Sequence, residues 1–294
     1  MWVVVRYPTG RRRRALGPCV AALTIRVMAA VLCCVSTMAA AADQLYRAQT
    51  IVTGQGEVNR IVGFSVCLQD VLVKVSGALK LVGDPRLEEY KSHASDYVRA
   101  FSYHDQMSGT PTRDEQGTRD RPYDLIVDFD ETRINDLLRT IGLAPWVSHR
   151  PVLAVFVEME QGARQYIVTS DARQSDLQRD SLFAAAEKWG MSIVLPTTAG
   201  LDKSGISAAR FSTLRSSTLA SAVADQGGEV ALVGHLEWVD RELGWATEWQ
   251  MDWQGRSHRW QLRGITFDEA FRRGLGGAAQ ILSGNGGGAA AGTP

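Results

Sequence analysis

Glu229 to Ile265 reads EVALVGHLEWVDRELGWATEWQMDWQGRSHRWQLRGI and holds five of the chain's eight tryptophans. Within it Trp245, Thr247, Trp249, Met251 and Trp253 fall on one parity. Ala246, Glu248, Gln250, Asp252 and Gln254 fall on the other. This is the period of a β-strand with one bulky face and one wet face. A helix would set the three tryptophans four apart but would scatter the acids and amides with no clean opposite face. The stretch therefore predicts a set of strands in three runs between Glu229 and Ile265. An exposed aromatic row can stack on sugars, lipids or a protein. A covered row is the core of a small α+β unit, and tryptophan buries a large area. The clean polar alternation favours the covered reading. It leaves Trp238 and Trp245, beside the turn Asp240-Arg241-Glu242, as the binding candidates.

Downstream, Thr266, Phe267, Asp268 and Glu269 form a capping box for a last helix carrying Phe271, Leu275 and Leu282. Ser283 to Pro294 (SGNGGGAAAGTP) is expected to be a disordered tail that buries nothing. Upstream, Pro151 to Val157 (PVLAVFV) is apolar on both parities, as in a central strand covered on both faces. Gln165 to Thr169 is expected to pair with it. Asp176 to Trp189 predicts a helix with Leu182, Phe183, Ala186 and Trp189 inward. Ile193 to Leu195 predicts a short strand, Thr197 to Ser207 a loop or short helix, and Phe211 to Asp225 a weaker helix.

The first half repeats the element types. Leu45 to Val52 is a strand, and Val58 to Ser76 a helix closed by Gly77. Pro85 to Val98 is a second helix capped by Asp84. Phe101 to Met107 is a strand, Ser108 to Pro122 a polar loop, Tyr123 to Phe129 a half-buried strand and Glu131 to Ile141 a helix. The expected fold is α+β: two small sandwich-like units with mixed or antiparallel sheets, 43–145 and 146–282, joined near Gly142 to His149.

Residues 1–42 carry six arginines and no acid, then an apolar run from Val27 to Val35 and a four-alanine stretch, Ala39 to Ala42. That is the pattern of a secretory signal cleaved after Ala42, leaving Asp43 as the new terminus. An uncleaved membrane anchor is the second reading, and the long basic segment admits a start codon downstream of Met1. Of four cysteines only Cys67 follows the signal, so no internal disulfide is expected. The remainder holds 26 basic and 32 acidic residues, a net of −6, which argues against a nucleic-acid partner.

Chemistry-bearing motifs are sparse. Asp128 and Asp130, two apart on a strand, are the one carboxylate pair fit for acid/base work or a cation. With no third ligand motif or glycine-turned loop following, a solvated strand edge leading into a helix N-terminus, where acids are favoured, is the preferred reading. His93, His104, His149, His235 and His258 form no metal-ligand spacing, so neither metal nor cofactor is expected. His235 reads as a satisfied or half-exposed strand residue. His149 and Arg150 sit at the joint of the two units and are the remaining binding candidates. There is no nucleophile elbow and no phosphate loop.

Several phrases resemble a known family: Val71-Leu72-Val73-Lys74-Val75-Ser76-Gly77, Trp146 with Arg150-Pro151, Leu195-Pro196, and Leu232 to Leu236 ahead of the tryptophans. Together they resemble the proteobacterial domain of unknown function 2066 over Asp43 to Leu282. Thr197 to Asp202 departs from it, where the family has an acidic, methionine-bearing phrase. The resemblance implies an exported Gram-negative envelope protein with no established activity, an envelope protein or cell-wall component as partner, and no catalytic residues to carry over. By element order alone, the units are similar to envelope modules such as the amino-terminal domain of TolB, which does not fix function. The sequence thus points to a periplasmic binding or assembly module. A carboxylate-dependent envelope hydrolase is the alternative.

Overall fold

The computed structural model describes residues 44–109, 113–114, 117–118, 121–213 and 216–286. The fold is α+β. Strands β1 (Arg47–Thr53), β2 (Val98–Asp105) and β5 (Pro122–Phe129) form a three-stranded antiparallel sheet in the order β1-β5-β2. A two-residue ladder, β3 (Arg113–Asp114) with β4 (Gly117–Thr118), lies between β2 and β5. The stretch expected as a plain loop therefore contains a hairpin, and the rest of 110–120 is outside the described residues. The second sheet runs β11-β10-β9-β6-β7, with β8 beside β6. Its strands are β6 (Leu153–Gln161), β7 (Arg164–Ile167), β8 (Ile193–Val194), β9 (Val230–Val239), β10 (Gly244–Trp253) and β11 (Arg256–Ile265). The pair β6 and β9 is parallel, and β9-β10-β11 is an antiparallel meander.

Helix α1 (Glu57–Ser76) covers the three-stranded sheet with Phe64, Leu68, Val71 and Val75 buried. It ends at Gly77, whose φ of 65° is left-handed and whose N–H reaches the Val73 carbonyl. A side chain there would also meet the Trp146 ring at 2.9 Å, so glycine is required twice over. Cys67 lies sealed on α1, and burial pushes its thiol up to about 12. The helix expected over Pro85 to Val98 breaks up. A turn capped by Asp84 leads into α2 (Glu88–Ser92), and a second turn spans Ala94–Tyr97. Ser92 Oγ donates to the Glu89 carbonyl, a local bond of the kind that competes with helix continuation. Helix α3 (Glu131–Thr140) follows β5 and buries Ile134, Leu137 and Leu138.

Helices α4 (Asp176–Lys188) and α7 (Phe267–Leu282) pack on each other, and α7 lies on the tryptophan face of β10. Leu182, Ala185, Ala186 and Trp189 face inward from α4, while Phe183 is exposed, contrary to expectation. Position 183 lies about 100° around the helix from 182, outside the stripe formed by 182, 186 and 189. Helix α7 is capped by Thr266, whose hydroxyl accepts from Glu269 N–H. Helices α5 (Thr198–Ser204) and α6 (Ser216–Asp225) lie on the opposite face of the second sheet. Strand β6 is buried on both parities from Leu153 to Met159, as a central strand must be.

Each sheet draws its strands from one side of residue 146, yet a single hydrophobic core includes buried residues from both sides. Arg150 clips the seam. Its guanidinium lies 4.1 Å from the centre of the Trp146 ring and donates to the carbonyls of Lys74, Trp146 and Trp189. The tail also departs from expectation at its start. Asn285 Nδ2 donates to the carbonyls of Ser76 and Ala144, and its Oδ1 accepts from Ala144 N–H. One amide side chain satisfies the helix-end carbonyl of α1 and a loop at once, which a composition argument cannot foresee. Residues 287–294 lie outside the described part.

Candidate functional site

The expected site residues do not converge. Asp128 is held in a fork by Arg47, with Nε to Oδ1 at 2.6 Å and a second nitrogen to Oδ2 at 3.1 Å. Asp130 caps α3, accepting from Arg133 N–H at 2.9 Å. Both carboxylates are engaged in holding the first sheet and its helix together, and neither lines the groove below. Trp245 is buried at 8% exposure, and half-buried Trp238 sits edge-on to it with 5.6 Å between ring centres. Trp238 donates to Asp240 at 2.9 Å, so the pair closes the β9–β10 turn rather than forming an open platform. Arg150 is half-buried in the seam, and desolvation lowers its guanidinium to about 10. His149 is exposed and lies 2.8 Å from Glu229. Glu229 also accepts from Val152 N–H, and the His149 contact leads in holding its carboxyl below the usual range.

The opposite face of the tryptophan sheet carries the most developed site. Helix α6 and the turn before it cover the first part of β6 and β9, burying Phe156, Phe211, Ala222 and Val223. Their cover stops partway along β9. Beyond it opens a groove of about 600 Å³ between α6 and strands β9 to β11. Its apolar side is Phe211, Leu219, Val223, Ala231 and Val233. Its polar side is Glu229, His235, Glu248, Gln250, Asp252 and Arg259. Apolar walls with a few converging polar groups, at this volume, are the usual character of a ligand site.

At one end stands a row fixed by strand register. Glu158 on β6 lies beside His235 on β9, which lies beside Glu248 on β10, which lies beside Gln261 on β11. Glu158 is 1% exposed. A buried carboxylate needs partners, and it has two: Gln165 Nε2 donates to one oxygen at 2.7 Å, and His235 Nδ1 lies 2.8 Å from the other. A carboxylate only accepts, so this contact places a proton on Nδ1. The other ring nitrogen of His235, Nε2, lies 4.0 Å from Glu160 Oε2. Arg259 stands 4.0 Å from Glu248 on the same face.

This arrangement can hold an amphipathic ligand and offer it an imidazole nitrogen, an amide, carboxylates and a guanidinium. Among the described lining residues there is no hydroxyl or thiol nucleophile. Among the described residues there is also no cluster of three or more His, Cys, Asp or Glu side chains able to hold a metal ion. No helix among them is long and apolar enough to cross a membrane. The strand parity of His235 was legible in the sequence, and its half-exposed setting follows from it. Glu158 was missed. Its signal was an acid placed directly after the doubly buried run Leu153 to Val157, where a charge needs partners that only another strand can bring.

Residues 39–147 match the model of a family described as Domain of unknown function (DUF8605). The match covers the first sheet with α1 to α3 and stops before the second sheet, so the groove lies outside it. It identifies an uncharacterised domain, under a different heading from the family that the Val71 to Gly77 phrase resembles. No curated protein and no solved structure matches the chain.

Proposed function

We propose that this chain is an exported envelope protein of the Gram-negative type, acting without catalysis as a binding or assembly module. The single observation that carries the binding role is the groove beside α6, with its apolar wall and the register-fixed polar row at its end. Export is supported by the arginine-led apolar segment and the alanines before Asp43. The resemblance to the proteobacterial domain of unknown function 2066 agrees with this setting, and the likeness to TolB-type modules stays an analogy of element order. A partner in this reading is an envelope protein or a cell-wall component. The hydrolase alternative draws nothing from Asp128 and Asp130, whose carboxylates are committed to Arg47 and to the α3 cap.

Photo-crosslinking in the envelope tests the reading. A crosslinking residue replacing Gln250 is expected to give a product of defined mass that disappears when Val233→Phe fills the groove. The same residue replacing Asp136, on the surface of α3, gives none. A product that survives Val233→Phe, or none at Gln250, overturns the assignment. Mass measurement of the chain recovered from the periplasmic fraction is expected to show a start at Asp43. A start at Met1 would favour the anchored form.

A further inference from the structure

Strand β11 ends the second sheet, and no described strand pairs with its outer side. It runs for ten residues, against four for β7 on the other side of β6. Its sequence, RSHRWQLRGI, holds Arg256, His258, Arg259 and Arg263 and no acid. Register against β10 sorts these side chains. Ser257, Arg259 and Gln261 share the face of Gln250, and His258, Trp260 and Leu262 share the tryptophan face. Arg259 and Arg263 are 64% and 59% exposed, Trp260 packs half-buried against the core, and Leu262 is half-buried.

An open strand edge invites another strand, and charge decides which one. A second copy of β11 would bring its own arginines against these, and like charges across a ladder repel. We propose that β11 is a docking edge for an extended partner segment that alternates acidic and apolar residues. Acids would face Arg259 and Arg263, four apart, and apolar side chains would extend the rim of Trp260 and Leu262. The backbone ladder supplies affinity and the arginine pair supplies selection. Arg263 already meets Glu242 at 2.7 Å, and a guanidinium has donors enough to serve a second carboxylate. This edge shares Arg259 with the rim of the groove, but it takes a polypeptide along the strand rather than a ligand held under α6.

The test uses the full chain and a fluorescein-labelled peptide built on the repeat Glu-Val-Thr-Val. Controls are the lysine counterpart and a scrambled peptide of the same composition. The alternating acidic peptide is expected to bind, weaken with added salt, and slow hydrogen exchange at backbone amides within 256–263. Arg259→Glu with Arg263→Glu should weaken it roughly tenfold and strengthen the lysine peptide, since two attractive cross-strand pairs become repulsive. Both arginines are exposed, so an unchanged melting temperature shows that the variant folds, and Arg259→Glu alone should lose part of the affinity. Val233→Phe should leave peptide binding intact, which separates this edge from the groove. The proposal is overturned by equal binding of the scrambled peptide, by indifference to the arginine variants, by protection elsewhere than β11, by no binding at all, or by a dimer formed through this edge.

Discussion

The two faces of β10 are built from alternate residues of one strand, yet they meet the rest of the molecule in opposite ways. Trp249 is fully buried, and Gln250 beside it opens into the groove. The indole of Trp249 lies between two glycines. Gly234 is its cross-strand neighbour on β9, and Gly274 faces it from α7. A side chain at Gly234 would meet the ring at 2.6 Å and one at Gly274 at 2.3 Å. Gly276 and Gly277 likewise seat Trp189 and Trp260. The inner face is thus stable because a helix with gaps in its side chains receives large rings. The outer face is served by a short helix that covers only part of it, and what remains open sets apolar side chains beside polar ones. Alternation assigns the faces, but the covering element decides which face is available for binding.

The largest effect should come from removing the ring. Trp249→Ala is expected to cost about 3–5 kcal/mol of unfolding free energy, read by chemical denaturation, because a fully buried ring leaves a cavity between two backbones. Gly274→Ala comes next. Alanine gains up to about 1 kcal/mol in helix propensity, but the methyl overlaps the ring, and a net loss of about 2 kcal/mol is expected. A stabilised Gly274→Ala would show that the seat is not close-packed and would break the comparison. Glu158→Gln should cost about 1 kcal/mol, since an amide nitrogen replaces one of two acceptors facing Gln165 and His235. Its sharper readout is the His235 ring, whose Nδ1 proton resonance should shift as its acceptor changes. Gln250→Ala should stay within about 0.5 kcal/mol, as for a surface position, while altering whatever the groove holds. A Gln250→Ala loss as large as that of Gly274→Ala would mean that the outer face carries stability too.

Much of the fold was legible in local pattern. The alternation from Trp245 to Trp253, the doubly apolar run of β6, the Gly77 terminus of α1 and the Thr266 cap all follow from bonds and periods within a few residues. The misreadings have separate causes. Pro85 to Val98 carries helical spacing, but Ser92 and His93 bond the Glu89 carbonyl, and the segment breaks into turns around a short helix. Phe183 was assigned inward by its apolarity rather than by its angle on α4. Asn285 was dismissed with a glycine-rich tail, although one amide suffices to hold Ser76 and Ala144.

The candidate site was less legible than the fold. Asp128 and Asp130 stood out because they are close in sequence, and that closeness serves a strand end and a helix start. Glu158 and His235 are separated by 77 residues and meet only because β6 and β9 pair in parallel. The groove exists because α6 returns over β9 and stops short. By itself the sequence determined which residues of each strand face together and, at Gly77 and Thr266, where helices end and begin. Those properties are set by backbone geometry and hydrophobic period, which act locally. Only the tertiary structure decided that the tryptophans would sit on glycines, that a buried glutamate would find a histidine, and that β11 would pair with β10 alone among the described strands. Those depend on which distant segments pack together, and no local period encodes the partner.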